Sequence, residues 1–207
     1  LSDATRGILL GGYDGTNGRN EMRYVTIAST GDTVDFGDAY HYTYGLTGLA
    51  SPTRGIIGHG ANPSVPTYYT RMDYITIATT GNAADFGDST TAARGMFGCS
   101  NAVRGIFAGG YLTGGIQNVI DYITIASLGN AAEFGDLTST RGYGGSVSSP
   151  TRAVFCGGGH YPSTYGLETI DYVQIMTTGN AIDFGDGLPA AGLEGPVGFS
   201  NGHGGLG

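Results

Sequence analysis

The sequence has no lysine and no tryptophan, only two cysteines and four histidines, and few charges of any kind. Each shortage removes a class of function. Nine arginines against seventeen acidic residues leave a net charge of −8, the wrong sign for gripping a phosphate backbone or an anionic lipid surface. Nucleic acid and membrane surfaces are therefore not expected partners. No apolar run approaches the roughly eighteen residues of a membrane-spanning helix, so membrane insertion is not expected either. Cys99 and Cys156 fall at non-equivalent places and read as small hydrophobes, not as a bridge or a metal clip. The chain opens at Leu1 with no charged-then-apolar leader, which reads as a processed product or one part of a longer protein.

What is abundant is glycine: forty of 207 residues, against a usual share of about 7%. Low complexity would be one explanation, but the glycines are periodic. Val, Ile, Tyr, Phe and Thr cluster in short runs between Gly, Asn and Asp, the pattern of strands joined by tight turns.

One pattern occurs four times, starting at Thr5-Arg6-Gly7, Thr53-Arg54-Gly55, Val103-Arg104-Gly105 and Thr151-Arg152-Ala153. Each start leads through an apolar run into glycines such as Gly11-Gly12 or Gly109-Gly110, and then into a loop of variable content. A second strand follows, at Tyr24–Ala28, Tyr74–Ala78, Tyr122–Ala126 and Tyr172–Met176. Its period is two, and neither face is built for bulk water, so both faces are expected to be covered. A Gly-Asn or Gly-Asp turn then leads to a third strand ending in Asp35-Phe36-Gly37-Asp38, Asp85-Phe86-Gly87-Asp88, Glu133-Phe134-Gly135-Asp136 or Asp183-Phe184-Gly185-Asp186. A Gly- and Ser-rich fourth strand closes the unit.

Four short antiparallel strands per repeat describe a propeller blade, so the expected fold is all-β, a β-propeller of four four-stranded blades in a single domain over residues 1–207. The blades are expected at about 5–52, 53–102, 103–150 and 151–202. A β-solenoid and a slice of a larger propeller are the alternatives. Ser2–Gly7 is similar to Ser100–Gly105, and Phe199-Ser200-Asn201 to Cys99-Ser100-Asn101, an overlap with which one terminus could complete the other's blade.

The Gly-Gly pair ending a strand, the apolar strand opening on Tyr, and the arginines of Ala93-Arg94-Gly95 and Thr140-Arg141-Gly142 together resemble the kelch-type repeat over nearly the whole chain. The chain departs from that family in having no Trp, with Phe36, Phe86, Phe134 and Phe184 near its place. The runs Arg104–Gly110, Ile120–Ala126 and Glu133–Thr138, and the ending Ser200–Leu206, also resemble repeat arrays in virion and tail-fibre proteins of marine and cyanobacterial tailed phages. That second resemblance implies a virion or extracellular setting. It implies a role in recognising a host-surface glycan or protein, or in tail architecture beside other virion proteins, and it leaves room for a homo-oligomer.

The variable loops after the glycines are expected to emerge on one face. They carry Tyr13, Asp14, Asn17, Tyr68, Tyr69, Tyr111, Asn118, His160, Tyr161 and Tyr165, flat aromatic and adaptable polar groups suited to carbohydrate or protein surfaces. The recurring acids are expected to bond turn amides or the repeated arginines, because catalysis needs one carboxylate pair and not four. Asp14-Gly15-Thr16-Asn17 with Asn20 and Glu21 has calcium-loop spacing, but no other copy repeats it, and it reads as a solvated turn. His41, His59, His160 and His203 are the ligands a kelch-type copper oxidase would need, and their spacing is poor for it. No nucleophile elbow or zinc-protease motif occurs. The expectation is thus a non-catalytic module without cofactor or metal, with a free-standing lectin as the alternative and a copper oxidase or glycosidase as the remaining one.

Overall fold

The computed structural model describes residues 1–62, 67–160 and 166–187, and these are all-β. Three four-stranded antiparallel meanders follow one another. The first joins Thr47–Ala50, Arg54–Gly58, Arg71–Thr76 and Ala84–Asp88. The next joins Phe97–Ser100, Arg104–Ala108, Val119–Thr124 and Ala132–Asp136. The last joins Gly145–Ser148, Arg152–Cys156, Thr169–Gln174 and Ile182–Asp186. A three-stranded sheet of Arg6–Tyr13, Gly18–Thr26 and Val34–Thr43 precedes them, with Leu1 and Ser2 bridging to Gly7 and Ile8 at its edge.

The Gly- and Ser-rich strand belongs to the sheet that follows it. It hairpins into the next Arg-initiated strand, as in Thr47–Ala50 against Gly55–Gly58, so each sheet begins one strand earlier than the sequence pattern suggests. The turn chemistry explains why. Asp3, Ser51, Asn101 and Ser149 each accept the amide of the arginine three residues on, at 2.6, 3.1, 2.7 and 3.0 Å, closing a tight side-chain-capped turn between the two strands.

The sheets pack face to face, with one apolar cluster in each gap. Ile8, Met22 and Phe36 of the first sheet meet Ile57, Ile75 and Ile77 of the second. Ile56, Met72 and Phe86 meet Phe107, Ile123 and Ile125. Ile106, Ile120 and Phe134 meet Phe155, Val173 and Ile175. Both faces of the two middle sheets are therefore covered, as the strand pattern predicts.

The Asp-Phe-Gly-Asp element is a β-bulge. Met72 pairs with Gly87 and Asp73 with Asp85, so Phe86 is the extra residue, and the same slip recurs at Phe36, Phe134 and Phe184. A bulge residue loses ladder partners in its own sheet, and here the next sheet supplies them. The amides of Gly81, Gly129 and Gly179 donate to the carbonyls of Phe36, Phe86 and Phe134 at 2.7, 2.8 and 2.8 Å. Those of Ala83, Ala131 and Ala181 donate to Asp38, Asp88 and Asp136, each at 2.8 Å. The approach is so close that a Cβ on Gly87 would fall on the Gly129 carbonyl, and its φ of 138° suits only glycine.

The repeated arginines form a ladder whose partners are not acids. Arg6, Arg54 and Arg104 donate to the carbonyls of Ile77, Ile125 and Ile175 in the following sheet, at 3.0, 2.8 and 2.9 Å, and stack on Tyr24, Tyr74 and Tyr122. The acids of the bulge motif are largely exposed, and Asp85 pairs instead with Arg71, at 3.1 Å. The acids that do couple sheets are Asp73, Asp121 and Asp171, which accept the amides of Tyr40, Thr90 and Thr138 of the preceding sheet at 3.2, 3.1 and 3.1 Å.

Candidate functional site

The residue two before each Gly- and Ser-rich strand sits in left-handed conformation: Gly45 (φ 64°), Gly95 (φ 63°) and Tyr143 (φ 54°). They form a stair, the Gly95 amide donating to Gly45 and the Tyr143 amide to Gly95, both at 2.7 Å. A bulky residue in this region is strained by roughly 1–3 kcal/mol, and such strain concentrates at functional sites. The Tyr143 ring lies over the two glycines below it, where a Cβ on Gly95 would meet ring carbons at 2.7 Å.

Beside that ring stands Arg94. Its guanidinium carbon lies 5.1, 5.6 and 5.9 Å from the ring centres of Tyr44, Tyr68 and Tyr143, and one of its Nη atoms donates to the Tyr44 hydroxyl. Its buried Nε has no partner among the described residues. Tyr13 extends the cluster, its ring 5.8 Å from Tyr44. Burial raises the Tyr143 hydroxyl above the usual tyrosine range, so this ring stays neutral. Half-buried rings and one cation drawn from the first, second and third sheets make a surface that can stack on a sugar ring or aromatic group and offer hydrogen bonds at its rim.

The loop residues divide around this platform. Tyr13 and Tyr68 belong to it. Tyr69 turns away and stacks on His41 at 3.7 Å, beside Tyr40 and Arg71. Desolvation lowers the His41 pKa, so its ring is neutral near neutral pH. Tyr111 is buried against Tyr143 and gives its hydroxyl to the Gly159 carbonyl at 2.8 Å, a supporting position under the platform. Asp14 accepts the amides of Thr16 and Asn17 and pairs with Arg19 at 2.7 Å, which makes this loop a self-satisfied turn. Asn118 donates to the Leu137 carbonyl, and His160 lies 3.2 Å from the Thr140 hydroxyl. Tyr161, Tyr165 and His203 lie outside the described residues, as does the Phe199–Asn201 overlap.

Among the described residues no three His, Cys, Asp or Glu side chains converge on a common point. His59 is buried against Phe107 at φ 67°, where the equivalent positions are Gly11, Gly109 and Gly157. Neither of its ring nitrogens has a partner among the described residues, and burial pushes its pKa down to about 3. Cys99 is likewise held as a thiol, pushed up to about 12 by burial, and Cys156 is only half-buried.

Sequence reasoning aligned Arg94 with Arg141, and the structure offsets them by one. Arg94 bridges to Tyr111, whereas it is Gly142 that makes the equivalent bridge, to Gly159. Arg94 therefore faces the platform, while Arg141 is fully buried and bonds Asp171 at 2.7 Å and the carbonyls of Gly157 and Thr169. Reasoning from sequence also missed Tyr44 and Tyr143, which lie outside the variable loops. Tyr143 was detectable as a non-glycine at the repeat position held elsewhere by Gly45 and Gly95. Two equivalent clefts, of about 320 and 260 Å³, lie at the turn between the last two strands of the middle sheets, beside Thr76, Thr80 and Asn82 and beside Thr124, Ser127 and Asn130. No protein-family model matches the chain, and no curated protein matches it.

Proposed function

We propose that the chain is a non-catalytic recognition module of a phage tail appendage, binding a host-surface glycan or protein through the Tyr44, Tyr68, Arg94 and Tyr143 platform. Tyr143 carries this reading, because a strained aromatic at a glycine position costs stability and brings its ring against the one cation of the cluster. The viral setting rests on the resemblance of the repeats to those of phage virion proteins. The sheets are read as kelch-like propeller blades, either four closing on themselves or an arc of a larger ring. An appendage role favours a binding partner outside the cell, in the virion or the host surface.

A free-standing lectin is the second reading, favoured by the two equivalent clefts, since repeated sugar pockets are what multivalent binding uses. A glycan array and a whole-cell binding assay test both. Saturable binding that is lost in Arg94→Ala and in Tyr143→Gly supports the platform. Binding kept in those variants and lost in Asn82→Ala and Asn130→Ala supports the clefts. Absence of binding to any cell or glycan removes the recognition reading and leaves a purely architectural role.

A further inference from the structure

Each sheet has two apolar faces, and every gap joins the same two kinds. One face carries Phe36, Phe86 or Phe134, exposed by 2, 2 and 3%, and the other carries Ile77, Ile125 or Ile175, exposed by 0, 1 and 0%. At the ends of the array each kind is left open. Phe184 is 53% exposed, and a Cβ on Gly185 would meet nothing within 4 Å, although on Gly87 it would strike the next sheet. At the opposite end Ile27 is 56% and Leu9 52% exposed, where Ile77 and Ile57 are buried.

The polar contacts are left open in the same complementary way. Arg152 stacks on Tyr172 at 4.5 Å as its counterparts do, but among the described residues it has no carbonyl to match Ile77, Ile125 or Ile175. The matching carbonyl belongs to Ile27. Among the described residues the Phe184 carbonyl has no donor to match those that Gly81, Gly129 and Gly179 supply in the other gaps, and the matching amide is that of Gly31. Asp186 stands in the same relation to Thr33. One contact of the set is absent, because Arg23 occupies the place of Asp73, Asp121 and Asp171 and cannot accept a hydrogen bond.

We propose that the Phe184 face of one copy docks on the Ile27 face of a second copy, continuing the array head to tail through the contacts already made three times within the chain. The occupant follows from the internal gaps, which show what covers each kind of face. Such a heterologous contact closes into a ring if its rotation allows and otherwise extends as a filament. The proposal stands apart from whatever the aromatic platform binds.

The test uses the full chain and sedimentation over a range of concentrations. Wild type is expected to grow in mass as concentration rises. Ile27→Asp and Phe184→Asp, both at exposed positions, should each remain folded by circular dichroism and monomeric. Mixed together they should form a one-to-one dimer, because each variant keeps the face the other has lost. A wild-type chain that stays monomeric throughout overturns the proposal, whether its ends are covered by residues after 187 or by a further unit of a longer chain. Single variants that still associate, or a mixture that stays monomeric, overturn it as well.

Discussion

The amide of Gly129 donates a 2.8 Å hydrogen bond to the carbonyl of Phe86, in the sheet before its own. Phe86 can accept because it is the extra residue of a bulge, and Gly129 can approach because Gly87 has no side chain. The recurring acidic motif thus marks the seam between units and needs no catalytic explanation.

That seam predicts unequal costs at equivalent glycines. Gly185→Ala suffers only backbone strain in the monomer, roughly 1–3 kcal/mol. Gly87→Ala adds a collision with the Gly129 carbonyl and should cost at least about 1 kcal/mol more. Urea denaturation of the two variants measures the difference, and equal costs would remove the close approach from the account.

The arginine ladder gives a second matched pair. Arg54→Ala removes both the bond to Ile125 and the stacking on Tyr74, whereas Arg152→Ala in the monomer removes only the stacking on Tyr172. The first should cost about 2–3 kcal/mol and the second about 1 kcal/mol or less, on typical values for charged hydrogen bonds and exposed cation–π contacts.

Arg141 and Asp171 are both fully buried, 2.7 Å apart. Asp171→Ala strands the guanidinium and leaves Thr138 without its acceptor, a loss of about 3–5 kcal/mol. Thermal or chemical unfolding reads this directly.

His59 predicts an acid-sensitive fold. Its pKa falls from 6.5 to about 3 on folding, so the unfolded chain takes up the proton first. Its contribution is complete above pH 6.5 and is lost as pH falls toward 3, at up to about 1.4 kcal/mol per pH unit. His41 adds a loss of the same sign. Unfolding free energies measured across this window should show a shallower slope in His59→Gly than in wild type.

Tyr143→Gly separates strain from function. Returning this position to the residue found at Gly45 and Gly95 should leave stability unchanged or raised by up to about 1 kcal/mol. Loss of the ring against Arg94 should at the same time abolish ligand binding. A variant that unfolds instead would make Tyr143 a packing residue.

The repeat, its strands and the covered faces of its middle sheets were legible because alternation and glycine spacing report strands directly. The third strand ends at Asp88 as its pattern puts it, but the second, read as Tyr74–Ala78, runs over Arg71–Thr76 with Ile77 and Ala78 in the turn, and the bulge at Phe86 carried no sequence signal of its own. The assignment of Thr47–Ala50 to the following sheet was not legible, since a strand with few side chains carries no pattern to say which neighbour it pairs with. The arginine partners were missed for a related reason: Ile77, Ile125 and Ile175 accept through backbone carbonyls, which no residue type advertises. The loop residues part company in the structure. Tyr13 and Tyr68 reach the platform, but Tyr111 is drawn beneath Tyr143, because its hydroxyl finds the Gly159 carbonyl inside the structure.

Amide hydrogen exchange by NMR tests the coupling of the units most directly. The amides of Gly81, Ala83, Gly129, Ala131, Gly179 and Ala181 should exchange slowly, since each is bonded to the preceding sheet. Those of Gly31 and Thr33 should exchange fast in the dilute chain and become protected as concentration rises. Fast exchange at all eight would show that the units do not bond through the bulge, and would contradict the account at its root.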